Sequence, residues 1–182
     1  MPEAASPAAR APQTVRILGI DPGSRLTGFG LIDASPARSR CVTHGVIRTG
    51  DGDLASRLGR IFEELAAVIR EHAPAEIAME QVFVQKNVAT ALVLGQARGA
   101  ALCAVAVSGR PFHEYAPARI KQAVAGSGRA DKPQMQRMVR MLLALPEAPP
   151  PDAADALACA LCHAHSRTLT LTTARLARAL RP

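Results

Sequence analysis

Four carboxylates sit at the ends of apolar runs that any fold of this chain must gather. Asp21 closes the run VRILGI and Glu80 closes EIAM. Asp152 and Asp155 open the Ala/Leu-rich run DAADALACALCHAH. The first two runs read as strands. The last reads as a helix, and acids three residues apart at its start project from one face. Acids brought together from distant parts of a chain repel one another unless cations neutralise them. An oxygen-only donor set of this kind suits Mg²⁺ or Mn²⁺.

The rest of the chain is basic, with 22 lysines and arginines against 15 acids and a formal charge of +7. Between Val84 and Arg140 there are nine basic residues against only Glu114 and Asp131, a surplus equal to that of the whole chain. Such a band fits a phosphate backbone better than a neutral ligand. Only five aromatic residues are present, which argues against a large aromatic ligand pocket. An acidic hole in a basic surface is what a metal-dependent nuclease needs. A length of 182 residues suits one domain with a real core and is too short for a two-lobed actin-like ATPase.

The spacing of apolar residues predicts the order βββαβαβα with a final helix, a five-stranded mixed sheet flanked by helices. VRILGI, TGFGLID and RCVTHGVI form an antiparallel meander, with Pro22-Gly23-Ser24 forcing the first turn. The glycines from Gly19 to Gly30 match neither a phosphate loop nor a dinucleotide fingerprint, and let strands bend and cross closely. Asp51 or Asp53 caps a one-sided amphipathic helix that carries Leu54, Leu58, Ile61, Phe62, Leu65, Val68 and Ile69. AEIAMEQV returns as a parallel, central strand. Asn87 to Val107 is a helix with almost no polar face, so its second side calls for a partner, most cheaply another copy of the chain at a position such as Leu94. RPFHEYA forms a strand, Pro117 to Ala125 a helix, and Pro133 to Leu145 another. PEAPPP then delivers Asp152 as a cap for the last helix. After His165 the sequence leaves open a short peripheral helix or a frayed basic tail. The resulting division is a flexible tail at 1–14, a nuclease domain at 15–166 and a C-terminal extension at 167–182.

No uncharged apolar run reaches about 18 residues, and the Pro/Ala-rich start lacks the apolar stretch of a signal peptide, so a cytoplasmic protein is expected, off the membrane. Cys159 and Cys162, followed by His163 and His165, invite a zinc reading. Their segment is helical by composition, whereas structural zinc sites draw paired cysteines from turns, so buried cysteines are expected and the histidines lie outside the site.

GIDPGSRLTGFG, EQVFVQKNVATALVLGQARG, RIKQAVAGSGRADKPQMQRMV and DAADALACALCH resemble corresponding segments of the RuvC family of bacterial crossover junction endodeoxyribonucleases, within the ribonuclease H-like superfamily. The resemblance spans Val15 to Ser166. It implies a ribonuclease H-like fold and resolution of Holliday junctions by paired, symmetric nicks that leave 5′-phosphate and 3′-hydroxyl ends. It makes Asp21, Glu80, Asp152 and Asp155 the catalytic, metal-holding acids. Asp152 keeps aspartate where some members have histidine. Two Mg²⁺ ions about 4 Å apart are implied, with Mn²⁺ able to substitute and Asp21 as the bridging ligand. Phe83 matches an aromatic residue that wedges against a base, and Lys121 and Lys132 match a basic pair beside the scissile strand. The implied partners are four-way junction DNA, a second copy in a homodimer, and the RuvA-RuvB branch-migration complex. A general ribonuclease H-like nuclease would share the acids without needing a dimer. A noncatalytic junction-binding protein would keep the basic surface and tolerate loss of the acids.

Overall fold

Buried side chains on both faces of VRILGID place this segment at the centre of the molecule. The computed structural model, which describes residues 14–81 and 88–179, makes it the middle strand of five. β1 (Val15–Asp21), β2 (Leu26–Ala34) and β3 (Ser39–Arg48) form the antiparallel meander. β4 (Glu76–Glu80) lies on the other side of β1 and parallel to it, and β5 (Phe112–Tyr115) follows, parallel again, as the edge. The order is β3-β2-β1-β4-β5, so β4 is an inner strand and β1 holds the centre.

Alternation divides the core into two layers. Leu18, Ile20, Leu31, Ile47, Ile77 and Met79 face α1 (Leu54–His72) and α2 (Val88–Ser108). Of the two candidate caps, Asp53 starts α1 by accepting a 2.7 Å hydrogen bond from the Ser56 amide, and Ile61, Leu65 and Ile69 are its buried stripe. In α2, Ala97, Ala101, Ala104 and Val105 are buried, and Arg98 is paired with Glu114 of β5. By length and composition alone α2 could cross a membrane, but this face is packed into the domain. The opposite stripe is open, with Val88 80%, Leu92 65% and Val107 78% exposed. Leu94 is not on that stripe. It is half-buried on the wall of a cleft, and the apolar residues of α2 left most open are Val88, Leu92 and Val107.

The other sheet face carries α3 (Pro117–Ala125), α4 (Lys132–Leu142) and the long α5 (Pro151–Ala179). α4 stops short of the expected Leu145. The Arg140 side chain caps the turn by donating to the carbonyls of Leu145 and Pro146, and Ala144 adopts a left-handed φ of 49°. α5 begins on Pro151, a residue preorganised for the first helical turn, so Asp152 lies inside that turn instead of capping it. The helix continues unbroken past Ser166 to Ala179, which replaces both alternatives left open for the tail. Cys159 and Cys162 are buried in α5 as expected, with burial pushing the Cys159 thiol well up and the Cys162 thiol up to about 11. Cys103 is exposed.

α5 lies against backbone. A Cβ on Gly19 would overlap the Ala156 carbonyl oxygen, and one on Gly28 would overlap the Asp152 carbonyl oxygen. These glycines therefore do more than let strands cross: they let a helix rest directly on the sheet. Gly19→Ala is expected to push α5 off β1 and to lower stability by about 1–3 kcal/mol or more, the usual scale of overpacking, read as a fall in the thermal midpoint.

Candidate active site

The acids converge because three elements end or begin at one edge of the sheet. Ile20 of β1 pairs with Met79 of β4, so Asp21 and Glu80, each the next residue, close neighbouring parallel strands. Asp21 is also paired across the meander with Gly28, and the backbone of Asp152 lies over Gly28. One helical turn further on, Asp155 points into the same space. Together with Lys121 of α3 and Lys132 of α4, the residues Asp21, Glu80 and Asp155 line an open cleft of about 520 Å³, walled by Leu94, Ile120 and Met135. Asp152 is not among the lining residues but is close enough for its charge to act on Asp21 and Asp155.

Burial and mutual repulsion dominate the electrostatics. Burial first, then the charges of Glu80, Asp155 and Asp152, push the Asp21 carboxyl up to about 7. Burial and Asp155 push Glu80 to about 7 as well, against the pull of Lys121 and Lys132. Burial also raises Asp155, while Lys132, whose Nζ is 3.8 Å from Asp155 Oδ2, pulls it back. The two lysines cannot neutralise the group. A cluster of carboxylates held back from ionising near neutral pH needs a cation of higher charge, and an all-oxygen donor set fits Mg²⁺. The structure therefore unites Asp21, Glu80, Asp152, Asp155, Lys121 and Lys132. Phe83 lies outside the described residues.

A second cluster escaped the sequence reading. Glu76, His113 and His163 bring one donor atom each within 4.8 Å of one another, at the far end of β4 from Glu80. A signal was present: Glu76 and Glu80 are four apart on one strand, so they share a face, and His113 and Tyr115 share a face of the next strand. Nothing local, however, tied His163 to either.

The family model described as crossover junction endodeoxyribonuclease RuvC matches residues 17–163. The chain is 61% identical over 160 residues to the crossover junction endodeoxyribonuclease RuvC of Halorhodospira halophila, covering 87% of this chain and 95% of that protein. It is 55% identical over 166 residues to the RuvC of Burkholderia cenocepacia, covering 91% and 92%. Among solved structures, Thermus thermophilus RuvC in complex with a Holliday junction substrate superposes with a TM-score of 0.80 at 35% identity, over 86% of this chain and 96% of that one.

The raised carboxyls have a consequence for stability. Their ordinary values are 3.8 and 4.5 and their folded values are about 7, so the folded state is penalised for ionising them. The penalty is absent below the ordinary values, grows as pH rises and is fully developed above about 7. In chelator at pH 8, Asp21→Asn should therefore melt higher than the unaltered chain, by about 2–4 °C for each kcal/mol of relieved repulsion in a chain this size. The gain should vanish at pH 4. Mg²⁺ should stabilise the unaltered chain more than the variant.

Proposed function

The chain belongs to the RuvC family of crossover junction endodeoxyribonucleases, and from that premise we propose how its own residues carry out the reaction. It is a metal-dependent endodeoxyribonuclease that resolves Holliday junctions by paired, symmetric hydrolysis of phosphodiesters, leaving 5′-phosphate and 3′-hydroxyl nicks. The catalytic acids are Asp21, Glu80, Asp152 and Asp155. What carries this assignment is the meeting of Asp21, Glu80 and Asp155 in one cleft with Lys121 and Lys132 on its basic wall.

Asp21, at the end of the central strand, would hold magnesium together with Glu80 and Asp155, and Asp152 beside them would complete the donor set or orient the attacking water. Bound magnesium, or manganese in its place, supplies the charge that activates water at neutral pH and stabilises the leaving oxygen. Lys121 and Lys132 bind the phosphate flanking the cut and offset charge that develops on it. Lys132 also sets its charge 3.8 Å from Asp155. Leu94, Ile120 and Met135 form the apolar part of the cleft wall. Phe83, three residues beyond Glu80, wedges against a base at the junction, a role that rests on the family resemblance alone.

Two symmetric cuts require two sites. The open stripe of α2, with Val88, Leu92 and Val107, supports a homodimer through this helix, whose two-fold axis would match that of an open four-way junction. Work with the RuvA-RuvB complex and a cytoplasmic setting complete the proposal.

Amide substitution of each acid tests the core of it. Asp21→Asn, Glu80→Gln, Asp152→Asn and Asp155→Asn are each expected to reduce junction cleavage by at least about 100-fold, the scale of removing a preorganised charge from a site. Gel-shift binding of the junction, which draws on the wider basic surface, should be retained. Cleavage at the unaltered rate by all four would reject the assignment. For the dimer, Leu92→Glu is expected to raise the dissociation constant in sedimentation by about tenfold or more, because it would bury an unpaired charge. An unaltered chain that sediments as a monomer at micromolar concentration would contradict it.

A further inference from the structure

Midway along α5, about two turns beyond Asp155, a largely buried chain of hydrogen bonds ties the helix to two strands. His163 is 3% exposed; its Nδ1 is 2.7 Å from the Tyr115 hydroxyl and its Nε2 is 2.6 Å from Glu76 Oε2. Arg167, one turn further along α5, donates from Nε to Glu76 Oε1 at 2.9 Å. His113 stacks on the His163 ring with centroids 4.3 Å apart.

The protonation pattern follows from the partners. Burial, together with the charges of His113 and Arg167, outweighs Glu76 and lowers His163, so its ring is neutral. Burial pushes Glu76 up, but the bonds from His163 and Arg167 hold its carboxyl net below the ordinary value. An ionised Glu76 can only accept, so His163 donates from Nε2. Its Nδ1 must then accept from Tyr115. Both ring nitrogens of His163, the Tyr115 hydroxyl and both Glu76 carboxylate oxygens thus have partners. A cation held by Glu76, His113 and His163 would need to undo this bond pattern beside the Arg167 guanidinium, so the cluster reads as a lock.

Two lengths show what it locks. Glu76 precedes Glu80 by four strand residues, about 13 Å. His163 follows Asp155 by eight helix residues, about 12 Å. Helix and strand therefore meet at two matched stations, the reactive one where Asp155 acts on Glu80 and the remote one where His163 bonds Glu76. Otherwise α5 lies at backbone distance over Gly19 and Gly28 of the neighbouring strands and sets Leu157 and Leu161 into the core, apolar contacts with none of the directionality of a hydrogen bond. We propose that Tyr115, His163, Glu76 and Arg167 form a positioning lock that sets the axial register of α5 and so the spacing of Asp152 and Asp155 from Asp21 and Glu80. The inference rests on the assignment of those four acids as the metal-holding site.

The test is junction cleavage by the full chain across a magnesium titration. Tyr115→Phe removes one hydroxyl and little volume, so the fold should persist by circular dichroism. It is expected to raise the magnesium concentration for half-maximal cleavage by about tenfold, the scale seen when groups supporting metal ligands are lost. KM for the junction should stay unchanged. Glu76→Gln should do the same, and His163→Gln, which keeps a donor and an acceptor, should perform better than His163→Leu. Asp21→Asn should stay inert at every magnesium level. Its retaining full cleavage would reject the site assignment itself, separately from the lock. An unchanged magnesium requirement in Tyr115→Phe with only a lower melting temperature would reduce the lock to core packing and overturn the proposal. So would a variant as inert at high magnesium as Asp21→Asn. Zinc retained by the unaltered chain in equilibrium dialysis, and lost in Glu76→Gln and His113→Ala, would make the cluster a metal site instead.

Discussion

The backbone of α5 rests on Gly19 and Gly28, where any side chain would overlap it, and the acidic site depends on that contact. Asp21 and Glu80 come together through strand pairing alone. Asp152 and Asp155 arrive only because the helix that carries them can approach the sheet at backbone distance. A methyl group at either glycine would separate the two halves of the site. The same contact explains the alanine content of α5: Ala153, Ala156 and Ala160 are buried against the sheet, where larger side chains would hold the helix away.

Closeness has an electrostatic cost, and the chain distributes it. Asp21 and Glu80 are pushed to about 7 because nothing in the protein neutralises them fully. Lys121 and Lys132 offset part of the repulsion from the solvent side of the cleft, and Lys132 does so at 3.8 Å from Asp155. The remaining imbalance favours a divalent cation and disfavours the empty, ionised site. Stability is drawn from elsewhere, from the apolar layers on both faces of the sheet, such as Leu18, Ile20, Ile61 and Leu65 on one and Ile17, Ile32, Leu157 and Leu161 on the other. The acids occupy only the strand ends between those layers.

Much of this was legible without coordinates. Strand composition and turn residues located the meander, and the Asp53 cap and the one-sided stripe marked α1. The acids stood out because charged residues at the ends of apolar runs are rarely incidental. Other features depended on contacts between distant residues. The C-terminal limit of α4 is set by Arg140 reaching Leu145 and Pro146, and the continuation of α5 to Ala179 outran a segment rich in threonine, a weak helix former. Leu94 looked like any other apolar residue of α2, and only the packing turned it towards the cleft.

The sequence by itself determined the elements, their order and the four acids with their basic surroundings, because periodicity, turn chemistry and charge are properties of neighbouring residues. Only the tertiary structure decided how close the acids stand and how far their protons are held. It alone joined His163 to Glu76 and to Tyr115, 87 and 48 positions away from it along the chain. Distance and burial arise when separate elements pack, and no local pattern encodes them.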